Sequence, residues 1–313
     1  MAVQNQLAKK PQRLGLTAYL TQDAVKNQIN KVVGGKDGQR FISAIISAVN
    51  TNPSLQECTN QSILSGALLG ESLKLSPSPQ LGHYYLVPFN DKNQGKVAQF
   101  QLGYKGYIQL AIRSGQYKKL NVLAIKEGEL EYFDPLNEEI KINLMVDRWD
   151  EREEAKTIGY YATFELVNGF KKSIYWSKKQ MMAHADKYSP SFSMKATTVT
   201  TKTGSTYNKV SFEDYEAGNY PEKDSWLYSS FWYKNFDQMA FKTMIRHLIS
   251  RWGIMSIDMQ QAFEQDMTFT DDSGKVNYVE PDDDVIDMEV VDEPQPEKTE
   301  SSDNDVAAAL FGK

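Results

Sequence analysis

The chain has a single cysteine, Cys58, in 313 residues. No internal disulfide framework can form, and the composition suits a reducing compartment. Histidine is also scarce: His83, His184 and His247 lie far apart and have no cysteine companions, which argues against a zinc site. No apolar run reaches the roughly 18 residues of a membrane span. The opening stretch, MAVQNQLAKKPQRLG, has no apolar core of the secretory kind. A cytoplasmic location without a membrane partner is expected. The signatures of common enzymes are missing too. There is no G-x-x-x-x-G-K-[ST] phosphate loop, no G-x-S-x-G elbow, no H-E-x-x-H pair and no calcium-binding loop.

What is present is a globular composition, 41% hydrophobic and 24% charged, enough for a substantial core. The net charge of −6 hides a division. Residues 271–313 carry 14 acidic and 3 basic side chains, a net of −11, which leaves 32 basic and 27 acidic, a net of +5, in residues 1–270. A mildly basic body suits nucleic acid. The acidic tail holds several prolines and almost no aromatics, so it is expected to be disordered. It serves either solubility or the recruitment of partners through its apolar end, VAAALFGK.

Residues 1–16 read as a flexible arm and 17–75 as a helical subregion. FISAIISAVN places Phe41, Ile42, Ile45, Ile46 and Val49 on one face. In NQSILSGALLGESL, the small residues Ser65, Gly66, Ala67 and Gly70 would permit close helix packing. A sheet core is expected over 81–176. HYYLV is β-prone up to Pro88, and KVAQFQL alternates as a half-buried strand, with Val97, Gln99 and Gln101 opposite Ala98, Phe100 and Leu102. TIGYYATFELVNGFKKSIYWS reads as a hairpin with a type I′ turn at Asn168-Gly169. Ser177 and Gln180 suit a capping box. The Thr-rich 195–212 region is an exposed hairpin or loop, and 224–265 reads as one long helix. The fold class is α+β: a curved antiparallel sheet flanked by N- and C-terminal helices.

Two helices carry polar stripes. On Tyr104–Ser114, Tyr104, Ile108, Ala111 and Ile112 form the central apolar arc, with Tyr107 and Leu110 beside it; Lys105, Gln109 and Arg113 recur at steps of four. Gly103 suits the turn from strand to helix and Gly115 the C-terminal cap. Gly106 costs helix stability, so it marks the close approach of another backbone. On the last long element, Gln238, Lys242 and Arg246 repeat the stripe, with Lys234 one turn earlier. Like charges one turn apart repel, and a phosphate strand would relieve them. Most of the aromatic run at 226–236 suits the core, with one or two rings available for stacking on bases.

YKGYIQLAIRSGQY and FDQMAFKTMIRHLISRWGIMS together resemble the RecT family of phage and prophage single-strand annealing proteins. Order and spacing agree over roughly 17–270, and the likeness points to a prophage of a Gram-positive host. The resemblance implies a protein that binds single-stranded DNA, pairs it without ATP and holds the annealed duplex in a homo-oligomeric ring or helical filament. It further implies a β-β-β-α core similar to that of eukaryotic annealing mediators, and a phage exonuclease as partner, with host single-strand binding protein reached through the C-terminal region. No cofactor is expected; Mg²⁺ would modulate DNA binding without a dedicated site. On this footing the DNA contacts are Gln101, Gly103, Tyr104, Lys105, Tyr107, Gln109, Arg113, Lys234, Gln238, Lys242 and Arg246. Gly103 and Gly106 would admit the strand at the floor of a groove. Lys202, Tyr207 and Lys209 would form a finger over it, or a mobile loop with no contact. Three alternatives stand beside this: a metal-dependent nuclease using the acidic clusters at 147–156 and 212–218, a scaffold that does not touch DNA, and an RNA-binding module.

Overall fold

The computed structural model describes residues 14–200, 205–271, 273–278 and 287–290. Four helices come first: α1 (Leu16–Leu20), α2 (Asp23–Val33), α3 (Gly38–Thr51) and α4 (Asn60–Ser72). α3 buries Phe41, Ile42, Ile45 and Val49, as their spacing predicts. α4 begins at Thr59, whose hydroxyl accepts the backbone N–H of Ser62. Its small residues serve a sheet and not a second helix. A Cβ at Gly66 would lie 2.6 Å from Leu86, and one at Gly70 would lie 2.3 Å from the Tyr84 ring.

That sheet contains β1 (Tyr84–Asp91) and β2 (Gly95–Leu102), antiparallel with Tyr84 opposite Leu102. Pro88 is tolerated because β1 is the edge strand. β2 is not half-buried. Ala98, Phe100 and Leu102 enter the first core, but Val97, Gln99 and Gln101 are buried as well. The sheet reaches β2 from the other side through β10 (Thr268–Thr270), which pairs in a hairpin with β11 (Val276–Tyr278). Asp271 organises this turn by accepting the N–H groups of Ser273 and Lys275 and the side chains of Ser273 and Asn277.

After Gly103, α5 (Tyr104–Arg113) buries Gly106, Tyr107, Leu110 and Ala111, whereas Ile112 is 58% exposed. The buried arc is therefore rotated away from the one expected. The chain then builds a second antiparallel sheet from β3 (Tyr117–Lys126), β6 (Thr157–Leu166) and β7 (Lys171–Ser177), in that order. Between β3 and β6 run the hairpin β4 (Leu130–Asp134)–β5 (Glu139–Ile142) and the short α6 (Trp149–Glu154). α7 (Lys178–Tyr188) follows directly and starts with the expected capping box of Ser177 and Gln180. β3, β6, β7 and α7 thus make a β-β-β-α unit, which β1 and β2 do not join.

The β6–β7 turn differs from the type I′ expected. Only Gly169 has positive φ (88°), and Gly169 N–H bonds to Leu166 O at 3.0 Å. The loop is the three-residue form, Val167-Asn168-Gly169, in which glycine supplies the single left-handed position.

The Thr-rich region is a hairpin of β8 (Thr197–Thr200) and β9 (Thr206–Lys209), followed by α8 (Phe212–Glu216). It is less exposed than its composition suggests, since Thr197, Val199 and Lys209 are buried. The stretch 224–265 is not one helix. A 3₁₀ turn (Glu222–Tyr228) precedes α9 (Phe231–Lys234), α10 (Phe236–Trp252) and α11 (Ile257–Gln265). Asn235, at φ −144°, breaks the first junction, and Gly253 ends α10. Part of the stretch read as tail is built into the fold. β11 extends past residue 270, and β12 (Asp287–Val290) pairs with β8. Residues 1–13, 279–286 and 291–313 lie outside the described residues, so most of the arm and tail expectations do too.

α10 joins the two halves. Ile245 and Ile249 enter the first core, with α1–α5 and α11. Ala240, Met244 and Leu248 enter the second, with β6, α7 and α9. Tyr117, Leu120 and Val122 of β3 touch both.

Candidate nucleic-acid interface

The break at Asn235 sets α9 and the start of α10 against the Gly103–Tyr104 corner. A small depression of about 30 Å³ opens there, walled by Tyr85, Gln101, Gly103, Tyr104, Phe231 and Lys242. Asn235 and Gln238 line it and also line an open cleft of about 990 Å³. The cleft continues past Lys234 to Lys156 and Lys178. The two meet at Asn235 and Gln238, so a groove follows the start of α10, with β6, α7 and α8 walling its cleft and the Gly103–Tyr104 corner its depression.

The charge of the groove is mixed. Glu127, Glu213, Glu216 and Asp237 also line the cleft. Lys178 pairs with Glu216 at 2.6 Å, and the Tyr160 hydroxyl donates to Asp237 at 2.6 Å. Lys156 and Lys234 are exposed and have no ion-pair partner among the described residues. Lys105, on the outer side of the same corner, shares that status.

Six expected residues share the groove wall: Gln101, Gly103, Tyr104, Lys234, Gln238 and Lys242. The others are placed elsewhere. Arg113 turns back on α4, donating to Leu73 O at 2.6 Å and Lys74 O at 3.4 Å. It satisfies carbonyls at that helix's C-terminal end. Gln109 lies beside it, its carbonyl accepting from Arg113 Nε. Burial lowers the His83 imidazole pKa, and the charges of Arg113 and Lys105 lower it further. Tyr104 packs edge-on against Phe241, with ring centroids 5.5 Å apart. Tyr207 meets Trp226 edge-on at 5.0 Å. Lys202 lies outside the described residues.

Lys242 and Arg246 are committed to Asp266. The Asp266 carboxylate is wholly buried, and Oδ1 receives Lys242 Nζ at 3.0 Å and Leu102 N–H at 2.8 Å. Oδ2 receives Arg246 Nη1 at 2.6 Å and the Tyr107 hydroxyl at 2.9 Å. Burial drives the Tyr107 hydroxyl well above its ordinary pKa, and the Asp266 charge adds to this. The like-charge repulsion that suggested a phosphate is thus relieved from inside the protein. Asp266 follows a helix in EQDMTF and matches no motif. The available signal was indirect: two cations among Met244, Ile245 and Leu248 require an anion.

The glycines are likewise used internally. A Cβ at Gly103 would lie 2.2 Å from Gly82 O, and one at Gly106 would lie 2.1 Å from His83 O. The approaching backbone is the chain's own.

The stretch 147–156 has a structural use through its arginine, while its carboxylates stay exposed. Arg152 pairs with the wholly buried Glu129 at 2.6 Å, and Glu129 accepts the N–H groups of Lys126 and Met145. Among the described residues, no group of three or more His, Cys, Asp or Glu is placed to hold a metal ion.

Lys209 sits inside the hairpin base, donating to Ser191 O at 3.0 Å, with its Nζ 5.4 Å from the centre of the Tyr233 ring. Burial lowers its pKa to about 8. Below pH 8 both folded and unfolded chains carry the proton. Between pH 8 and about 10.4 the unfolded chain holds a proton that the folded chain has shed, so stability rises with pH. Relative to Lys209→Met, the wild type is expected to gain about 1–3 kcal/mol between pH 7 and pH 10 in urea titrations. A difference that stays constant with pH would contradict the buried-cation account.

This fold defines a class of α+β protein with two cores joined by α10 and a polar, lysine-bearing cleft at the start of that helix. The RecT family model matches residues 39–280, and the chain belongs to that family. It is 35% identical over 275 residues to the uncharacterized protein YqaK of Bacillus subtilis, covering 85% of this chain and 80% of YqaK. It is 30% identical over 169 residues to protein RecT of Escherichia coli, covering 52% of this chain and 61% of that protein. Family membership supports a single-strand annealing protein of DNA recombination. Among the described residues, no helix is long and apolar enough to cross a membrane.

Proposed function

We propose that this protein binds single-stranded DNA along the α10 groove, pairs it with a complementary strand without ATP, and retains the duplex in a homo-oligomer. The observation that carries this is the family match over residues 39–280. The groove supports it chemically. Exposed lysines and amides at Lys156, Lys234, Asn235 and Gln238, with Lys105 on the outer side of the corner, suit backbone contacts that ignore sequence. Pairing itself supplies the drive, since each correct step yields about 1.4 kcal/mol of stacking energy. Within the same proposal, the protein acts in the cytoplasm, in prophage recombination, beside an exonuclease that exposes the strand. It needs no cofactor, and Mg²⁺ modulates DNA affinity only.

The test is a salt titration with ATP absent. Complementary strands added one after the other should give a more salt-resistant complex than one strand or two unrelated strands. Equal midpoints would sink the duplex-retention part, and an ATP requirement would sink the whole proposal. Cleavage of a labelled strand with Mg²⁺ would instead favour a nuclease. A separate prediction concerns two exposed lysines, Lys234 in the cleft and Lys105 on the outer side of the Gly103–Tyr104 corner. Lys105→Ala and Lys234→Ala should each weaken binding uniformly across sequences and reduce the salt slope by about one unit. Unchanged slopes in both variants would move the strand out of this groove.

A further inference from the structure

A row of aromatic rings crosses the molecule away from the groove. It runs from Tyr188 and His184 on α7, through Trp176 on β7, to His247 and Trp252 on α10. Successive ring centroids are 4.7, 5.4, 4.9 and 5.9 Å apart. Tyr188 is 64% exposed, and the other four rings are partly exposed. A cavity of about 170 Å³ opens beside Trp176, His247 and Trp252, with Phe133 and Tyr175 on its far wall. Gln238, at the groove, and Trp252 are 14 positions apart on α10, about 21 Å at 1.5 Å per residue.

Cations stand at both ends of the row. Lys187 lies 5.3 Å from the Tyr188 ring centre, and Lys172 and Arg251 lie 4.5 and 6.0 Å from that of Trp252. Lys187 and Arg251 are exposed and have no ion-pair partner among the described residues. The nearby carboxylates are engaged: Glu138 pairs with Lys172, and Asp186 accepts the Met194 N–H. Burial lowers the pKa of both imidazoles, with Lys187 adding to this at His184 and Arg251 at His247. Both rings are therefore mostly uncharged at neutral pH.

The geometry points to a second nucleic-acid site, at which unpaired bases of a single DNA strand stack on this row while its phosphates meet Lys187 and Arg251. Flat, partly exposed rings flanked by the unpaired cations Lys187 and Arg251 match the chemistry of a single strand, whose bases offer open faces and whose backbone is anionic. A duplex cannot use the row, because each base face is covered by its neighbour. The site therefore selects single strands, whereas the groove contacts phosphates, which pairing leaves exposed. This rests on the annealing proposal: the row holds the incoming strand, and pairing strips it off.

The test uses the full-length protein with an oligothymidine and an abasic strand of equal length. The wild type should prefer the oligothymidine by roughly tenfold per stacked base, with quenching of tryptophan fluorescence. Tyr188→Ser, at an exposed position, and Trp252→Leu should each erase part of that preference. Abasic affinity and salt slope should stay unchanged, and Tyr188→Phe should restore the preference. Adding the complementary strand should reverse the quenching. Variants that keep the full preference, or that lose abasic affinity equally, would overturn the site. So would quenching that persists in the duplex, or a proline-rich peptide that binds the row where DNA does not. Failure of the groove would show in the salt slopes of Lys105→Ala and Lys234→Ala with base preference intact, so the two failures are distinguishable.

Discussion

Asp266→Ala is expected to destabilise the chain by about 3–5 kcal/mol, the range for removing one partner of a buried charge pair. Asp266 joins the end of β2, α5, α10 and the approach to β10 through four hydrogen bonds. Without it, Lys242, only 10% exposed at its side chain, becomes a cation with no counter-charge. The Tyr107 hydroxyl and the Leu102 N–H lose their acceptor as well. Arg246 is 40% exposed and can turn to water, so it adds less. Lys242→Met should cost less than Asp266→Ala. It leaves the carboxylate bound by Arg246, Tyr107 and Leu102, and a methionine fits among Met244 and Ile245. Urea titration of both variants checks the order. If Asp266→Ala lies within about 1 kcal/mol of wild type, the network is not the tie it resembles. The same comparison governs DNA measurements: a drop in affinity for Lys242→Ala counts as a contact only if the variant remains folded.

The sequence was most readable where one face of an element meets one environment. The α3 spacing, the Ser177–Gln180 cap and the β6–β7 pairing depend on near neighbours, and all three appear in the fold. It was least readable where a partner is distant. Lys242 and Arg246 resemble a solvent stripe until Asp266, some 20 residues on, is folded against them. Gln99 and Gln101 resemble the wet face of a strand. They are buried because β10 arrives from position 268, and Gln99 donates to Met267 O at 2.7 Å. Composition set the tail boundary at 270, although three residues of β11 are enough to pair with β10. The junction at Asn235 was not legible, because the apolar periodicity ran straight through it. The groove follows from that junction. Lys234 and Gln238 were picked out by spacing, while Lys156, Lys178 and Asn235 became candidates only when β6, α7 and α8 were placed beside the start of α10.

The glycine corner decides between an internal and an external use of Gly103-Tyr104-Lys105-Gly106-Tyr107. If Gly106 made room for DNA, Gly106→Ala would fold normally and bind weakly. The structure predicts the opposite order of effects. The new Cβ would sit 2.1 Å from His83 O and 3.0 Å from His83 C, with Leu102 Cδ1 at 2.9 Å. A rotamer change can move the leucine but not a backbone carbonyl. His83 O is also held in place, since it accepts the Gly103 N–H at 2.9 Å. Relief requires shifting the β1 entry or the first turn of α5, and that turn carries Tyr107 to Asp266. The cost should match or exceed the upper end of ordinary overpacking, about 3 kcal/mol. It outweighs the gain of up to about 1 kcal/mol that alanine brings to a helix interior. Gly106→Ala should therefore lose stability in urea before any change in DNA binding is measured on the folded fraction. Wild-type stability with weakened binding would return Gly106 to the DNA groove, and Lys105 beside it would become the first phosphate contact to test.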